Sequence, residues 1–217
     1  MVQPAASHDQ IRVAAINGSL REASYTRLAL RIALEGARSV NAQTQLIDLR
    51  NYDLTFCDGR RPSVTPYPEG VQRLQHDVQR AQGIILGTPE YHGGMSGVLK
   101  NALDLMGFDE FEGKIVGLVS VSGGKLGGTN ALNSLRVVGR ALHAWVVPEQ
   151  ASIPQVSLMF DETGHITNER LHVMLLTVGR QVARFAFLHT STEIQEFLRA
   201  WESAPDNPGA SESTLRA

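Results

Sequence analysis

The sequence predicts an α/β fold: one doubly wound, five-stranded parallel sheet in the order 2-1-3-4-5, with helices on both faces. Three observations carry this. Short apolar runs alternate with amphipathic helical stretches along the 217 residues. The runs are continuous rather than alternating, as in strands buried on both faces. The most unusual loops follow the first, third and fourth runs, and such sheets bind ligands outside the carboxyl ends of their strands, at the switch point.

Each element follows in turn. Residues 11–16, IRVAAI, are the first strand. Leu28, Ala29, Ile32, Ala33 and Ala37 then recur at helical spacing to residue 38. QTQLIDL, 43–49, is the second strand. Residues 50–70 form an irregular stretch, longer than most loops and therefore a functional candidate. Val71, Leu74, Val78 and Ala81 mark a short helix, and GIILGT, 83–88, a buried strand. A helix is expected over 97–106, a strand over 114–122, a helix over 128–143 and a last strand over 144–153. Leu171, Leu175, Val178, Val182 and Phe185 mark a C-terminal helix. Thr190 and Glu193 are placed to form a capping box for one more helix bearing Ile194, Phe197, Leu198 and Trp201.

Residues 11–203 are thus expected to form a single domain, with a flexible N-terminus over 1–10. A disordered tail is expected over 204–217, a segment rich in Pro, Ser, Gly and Asn. The N-terminus has no apolar signal core, and no uninterrupted apolar run approaches the ~20 residues of a membrane span. Net charge is −2 with no basic stripe, which argues against nucleic acid as a partner. The single cysteine, Cys57, has no partner for an intrachain disulfide and nothing nearby in sequence to activate it. A partly buried structural thiol and a soluble cytoplasmic protein are the expectations.

Three loops hold the chemistry. The first, NGSLREASYTR at 17–27, lacks both the dinucleotide and the triphosphate glycine patterns. It offers hydroxyls from Ser19, Ser24 and Thr26, a guanidinium from Arg21, and the N–H groups of a helix N-terminus. That set suits a phosphate. The plainer alternative is that Ser24 is only a helix cap and that Arg21 and Arg27 are solvated. The second loop runs from Pro89 through Glu90, Tyr91, His92 and Gly93 into VLKNALD. Glycines there permit close backbone approach to a ligand. An ordinary turn with an exposed aromatic is the alternative. Lys100 and Asp104, four apart on the following helix, suit a surface ion pair or a subunit contact. The third loop, SVSGGKLGG at 120–128, offers Ser122 and Gly123 as a flat wall, or simply turns.

Together the first two loops resemble a known family. Gly18, Ser19, Arg21, Ser24 and Thr26 match the pattern G-S-x-R-x-x-S-x-[NT]. Pro89, Glu90, Tyr91, His92, Gly97, Leu99, Lys100, Asn101 and Asp104 match P-E-Y-[NH]-x-x-x-x-G-x-L-K-N-x-x-D. Over residues 11–185 the chain is similar to the NAD(P)H-dependent FMN reductases, flavodoxin-like proteins that include quinone, chromate and azo reductases. The resemblance implies that Ser19, Arg21, Ser24 and Thr26 hold the FMN phosphate, with Tyr25 beside it. It implies that Pro89, Glu90, Tyr91, His92 and Gly93 line the flavin ring, flanked on its other side by Ser122 and Gly123. Many members carry Asn at the position of His92 and Ser at that of Gly94.

The implied reaction is hydride transfer from NADPH or NADH to bound FMN, then reduction of a small electron acceptor in a ping-pong cycle, with no side-chain nucleophile and no metal. Homodimers or homotetramers are typical of the family. Two other readings fit the same residues: a flavin reductase that releases reduced FMN to a monooxygenase, and a flavodoxin-type electron carrier. A carrier that docks by charge usually shows a strong net charge, which −2 does not supply.

Overall fold

The computed structural model describes residues 10–204. The expected flexible N-terminus and C-terminal tail fall outside these residues, apart from Gln10 and Ala204. The core is a parallel sheet of β1 (Arg12–Asn17), β2 (Gln43–Asp48), β3 (Gly83–Tyr91), β5 (Ile115–Val121) and β6 (Trp145–Ile153). Their spatial order is β2-β1-β3-β5-β6. A two-residue strand, β4 (Gly94–Met95), pairs antiparallel with the end of β3. With that hairpin set aside, the order is the 2-1-3-4-5 expected.

Strand side chains alternate between two cores, as the period of two requires. Val13, Ala15, Ile85 and Val119 join one apolar cluster, with α1 (Tyr25–Arg38) and α6 (Glu169–Thr190). Ala14, Ile16, Ile84, Leu86 and Leu118 join the other, with α2 (Glu69–Gln79), α3 (Gly97–Asp104) and α5 (Thr129–Ala141). Both faces are covered, so the strands read as continuous apolar runs. At 22 residues α6 is long and apolar enough to span a bilayer by length and composition. Here Leu175, Val178 and Val182 bury it against α1 and the sheet as a core helix. Gly36 and Gly179 let α1 and α6 touch backbone to backbone, since a Cβ on Gly179 would lie 1.7 Å from the Ala33 carbonyl oxygen.

Some local expectations are corrected. Thr190 caps nothing: it ends α6, and its Oγ1 donates to the Ala186 carbonyl. The final helix, α7 (Thr192–Glu202), starts after Ser191, with no side-chain cap. Thr190 is still the last residue of α6, so its hydroxyl turns back over that helix's own final turn, and Ser191 stands at the cap position of α7. Two short elements, β4 and α4 (Phe108–Phe111), are too brief to leave a periodic signal. Cys57 is exposed rather than partly buried.

The C-terminal ends of β1 and β3 lie side by side where the chain reverses its winding direction. That is the switch point of a doubly wound sheet. Gly18 donates its N–H across it to the Gly87 carbonyl, 2.8 Å away.

Candidate functional site

The first loop is held by polar side chains from three elements. Asn17, fully buried at the end of β1, donates through Nδ2 to the Ser19 carbonyl and to Asp48 Oδ1, both at 3.1 Å. Its Oδ1 accepts the Ser19 N–H. Arg27 reaches back from α1 to Asp48 Oδ2 at 2.7 Å. Its other nitrogens donate to the carbonyls of Glu22 and Arg21. Arg27 is therefore a strut, not a solvated charge. Ser24 caps α1 by accepting the Arg27 N–H. Ser19 Oγ accepts the Arg21 N–H at 3.4 Å. Each of these hydroxyls is used as an acceptor and keeps its own O–H to donate. Gly18 leaves no room for a side chain, because a Cβ would sit 2.7 Å from Leu99 Cβ and 2.8 Å from the Gly87 oxygen.

The second loop is a hairpin. His92 and Gly93 form its turn, with φ of 52° and 76°. Positive φ at both central residues matches the turn class whose twist suits paired strands. Tyr91 precedes the turn, and its ring lies 6.0 Å from the Arg21 guanidinium. Glu90 turns its carboxylate toward α5, where Oε2 accepts the Ala131 N–H at 2.9 Å. A carboxylate at a helix N-terminus is favourably placed. Ser96 then starts α3. Its Oγ accepts the Leu99 N–H and donates to the Gly18 carbonyl at 2.6 Å, so one buried hydroxyl joins the first and second loops.

The third loop is held more lightly. Ser122 Oγ accepts the Gly124 N–H, and Ser152 Oγ accepts the Gly128 N–H. Backbone bonds from Val156 to Ser122 and from Gln155 to Gly124 bring in a turn after β6.

These loops enclose a cleft of about 320 Å³. Ser19, Arg21, Tyr25, Thr26, Pro89, Glu90, Tyr91, Ser122 and Gly123 all contribute to its wall. Of the other expected residues, Ser24 lies beneath as the helix cap, and His92 and Gly93 stand in the hairpin turn. Four lining residues escaped the sequence: Ala23, Val121, Val156 and Ser157. Val156 and Ser157 come from the turn after the last strand, which carries no glycine or charge pattern to flag it. Lys100 and Asp104 pair with each other on the surface at 2.7 Å. Arg60 is committed to Asp58, which holds that carboxyl down at about 2.

The donor set fits FMN. A helix N-terminus capped by Ser24, the Ser19 and Thr26 hydroxyls and the Arg21 side chain meet the needs of a phosphate monoester. Tyr91, Ser122 and Gly123 supply a flat, partly apolar wall. Among the described residues no cluster of His, Cys, Asp and Glu is arranged for a metal ion.

Residues 11–157 match the family model for NADPH-dependent FMN reductase. The NADPH azoreductase of Bacillus sp. (strain OY1-2) is 32% identical over 75% of this chain and 87% of its own length. The FMN-dependent NADPH-azoreductase of Staphylococcus aureus (strain USA300) is 34% identical over 69% of this chain and 80% of its own. In fold, the chain is similar to the flavoenzyme NAD(P)H:acceptor oxidoreductase FerB of Paracoccus denitrificans. The TM-score is 0.64 at 23% identity, covering 82% of this chain and 98% of that one. Motifs, cleft and matched length agree, and the chain is an oxidoreductase of the NADPH-dependent FMN reductase family.

Proposed function

We propose that this enzyme passes reducing equivalents from NADPH through FMN held in the 320 Å³ cleft to a small acceptor, in a ping-pong cycle. The observation that carries the reading is the convergence of three loops on one cleft at the switch point, with phosphate donors and a flat wall in the same space. When bound, FMN supplies hydride acceptance from the nicotinamide and two-electron donation to the acceptor. The rest is binding and orientation by the chain.

Arg21 places a full positive charge against the phosphate, assisted by Ser19, Ser24 and Thr26, with Tyr25 alongside. Asn17, Asp48 and Arg27 fix that loop from below. Pro89, Glu90 and Tyr91 line the ring, and Glu90 does so through its backbone because its carboxylate is engaged with α5. His92 and Gly93 shape the turn that aims Tyr91. Ser122 and Gly123 form the opposite wall. No side chain acts as a nucleophile. The names of the two sequence relatives support azo compounds among the acceptors. Residues 11–203 act as one FMN-binding domain, in a cytoplasmic homodimer or homotetramer.

The purified protein is expected to be yellow and to bleach anaerobically when NADPH is added. A colourless protein that neither takes up FMN nor oxidises NADPH would overturn the reading. Arg21→Ala should weaken FMN binding by about 1.5–3 kcal/mol, the range for a charged hydrogen bond. Fluorescence titration of FMN against the apoprotein reads this directly.

A further inference from the structure

Next to the cleft lies a second, larger cavity of about 590 Å³, within the size range of small-molecule sites. Tyr91 belongs to both walls. Further apolar lining includes Leu20 of the first loop, Leu49 after β2, Leu54 and Phe56 of the irregular 50–70 stretch, and Val98 of α3. Arg50 and Asp53, also on the wall, carry opposite charges, so the cavity favours neither sign.

Phe56 is the unusual member. It is 85% exposed, yet the chain on either side of it is fixed by one side chain. Asn101 Nδ2 donates to the Thr55 carbonyl at 2.9 Å, and Asn101 Oδ1 accepts the Cys57 N–H at 3.0 Å. The Cys57 thiol adds a bond to the Asp104 carbonyl at 3.3 Å. An exposed phenyl ring gains nothing from water. Holding its backbone from both sides, with the ring at the rim of an apolar cavity, makes a prepared surface for another flat apolar body.

We propose that this cavity is the seat of the electron acceptor, a neutral planar aromatic molecule held between Phe56 and Tyr91, and that Phe56 determines specificity for it. Asn101 is a positioning residue that acts through Phe56. The assignment rests on the oxidoreductase reading above, because the seat opens on the flavin cleft through Tyr91. It gives the long loop after β2 a function, and apart from the shared Tyr91 it separates the acceptor's contacts from those that hold FMN.

The test uses the FMN-loaded protein and Phe56→Ala, with Phe56→Trp as the conservative variant. Binding of 2-naphthol, which is planar and not reducible here, is measured by equilibrium dialysis. Turnover is measured with NADPH and 1,4-naphthoquinone, which takes up two electrons and two protons to leave as the hydroquinone. NADPH supplies the hydride and solvent the second proton. Ferricyanide serves as a small acceptor that needs no aromatic seat. Phe56→Ala should raise the 2-naphthol Kd and the naphthoquinone KM roughly tenfold, as expected for losing one ring face. Flavin reduction by NADPH and turnover with ferricyanide should stay unchanged, and Phe56→Trp should restore both aromatic constants.

Unchanged constants in Phe56→Ala would overturn the seat. So would an equal loss with ferricyanide, slower flavin reduction by NADPH, or a change of oligomeric state without a change in Kd. Those results would give Phe56 to the fold, the nucleotide or a subunit contact. If 2-naphthol binding falls as expected while NADPH fails to bleach the flavin, the seat stands and the reductase reading falls. Normal NADPH turnover with unaltered 2-naphthol binding has the opposite meaning.

Discussion

The first and third loops face the same cleft and are built in opposite ways. Around the first, Asn17, Arg27 and Ser96 bind its backbone, and Asp48 braces Asn17 and Arg27 from β2. The Arg27–Asp48 pair keeps only 15% and 14% of its side-chain surface exposed. The third loop relies on its own Ser122, on Ser152 of β6 and on a neighbouring turn, and Leu126 within it is 91% exposed. The difference teaches where precision is needed. A phosphate is recognised by charge and directed hydrogen bonds, whose strength depends on fixed geometry. A flat ring wall needs shape and clearance, which a lightly held glycine-rich segment supplies.

The sharpest way to break this contrast is Arg27→Ala. It leaves the Asp48 carboxylate partly buried without its cation and frees the carbonyls of Arg21 and Glu22. A loss of about 3 kcal/mol of stability is expected, the low end for breaking a buried pair. FMN affinity should fall with it, although Arg27 is not part of the cleft wall. Lys125→Ala in the third loop should change stability by less than about 0.5 kcal/mol. Urea unfolding of both variants checks the pair. Equal effects would mean that the two loops are held alike.

A matched glycine pair asks the same question with one methyl group. In Gly18→Ala the new Cβ meets Leu99 and the Gly87 carbonyl under 3.0 Å, against backbone that cannot yield. Overpacking of this kind costs about 1–3 kcal/mol. In Gly123→Ala nothing lies within 4 Å of the new Cβ. Stability there should move by no more than about 0.5 kcal/mol. Thermal melts of the apoproteins keep any flavin contribution out of the comparison.

The same division decides what was legible in the sequence. The sheet and its order followed from apolar runs such as GIILGT and IVGLVSV, because burial on both faces leaves a local trace. Ser19, Arg21, Thr26 and Tyr91 stood out because phosphate and ring recognition use distinctive residue types at short spacing. Long-range partners left no such trace. Asp48 is 21 residues from Arg27 and Ser96 is 78 from Gly18, and each looks like an ordinary strand-end or cap residue alone. A carboxylate beside a proline, as Glu90 is, more often orders its loop than reacts, but only the fold brings it its partner, the Ala131 N–H. Asn101 reads as one letter of a helix motif, and its hold on Thr55 and Cys57 appears only once α3 lies beneath the irregular stretch.

The smallest effect on the cleft is expected from the far end of the sheet, and it tests whether loop rigidity is local. Lys114, just before β5, donates through Nζ to the carbonyls of Val78 and Gln79 that end α2. Burial pushes its pKa down from 10.5 to about 8, partly opposed by Glu110. The unfolded chain therefore binds more protons at this residue between about pH 8 and pH 10.5, and stability rises with pH across that window. Below about pH 8 both states are protonated, and the cost of the buried charge is constant. Relative to Lys114→Met, the wild type should gain stability from pH 8 to pH 10, read as a growing gap between urea midpoints. FMN affinity of the two proteins should stay equal throughout, because Lys114 lies at the opposite sheet end from the cleft. A parallel drift in FMN affinity would show that the phosphate loop depends on global stability, and the contrast between the loops would lose its local meaning.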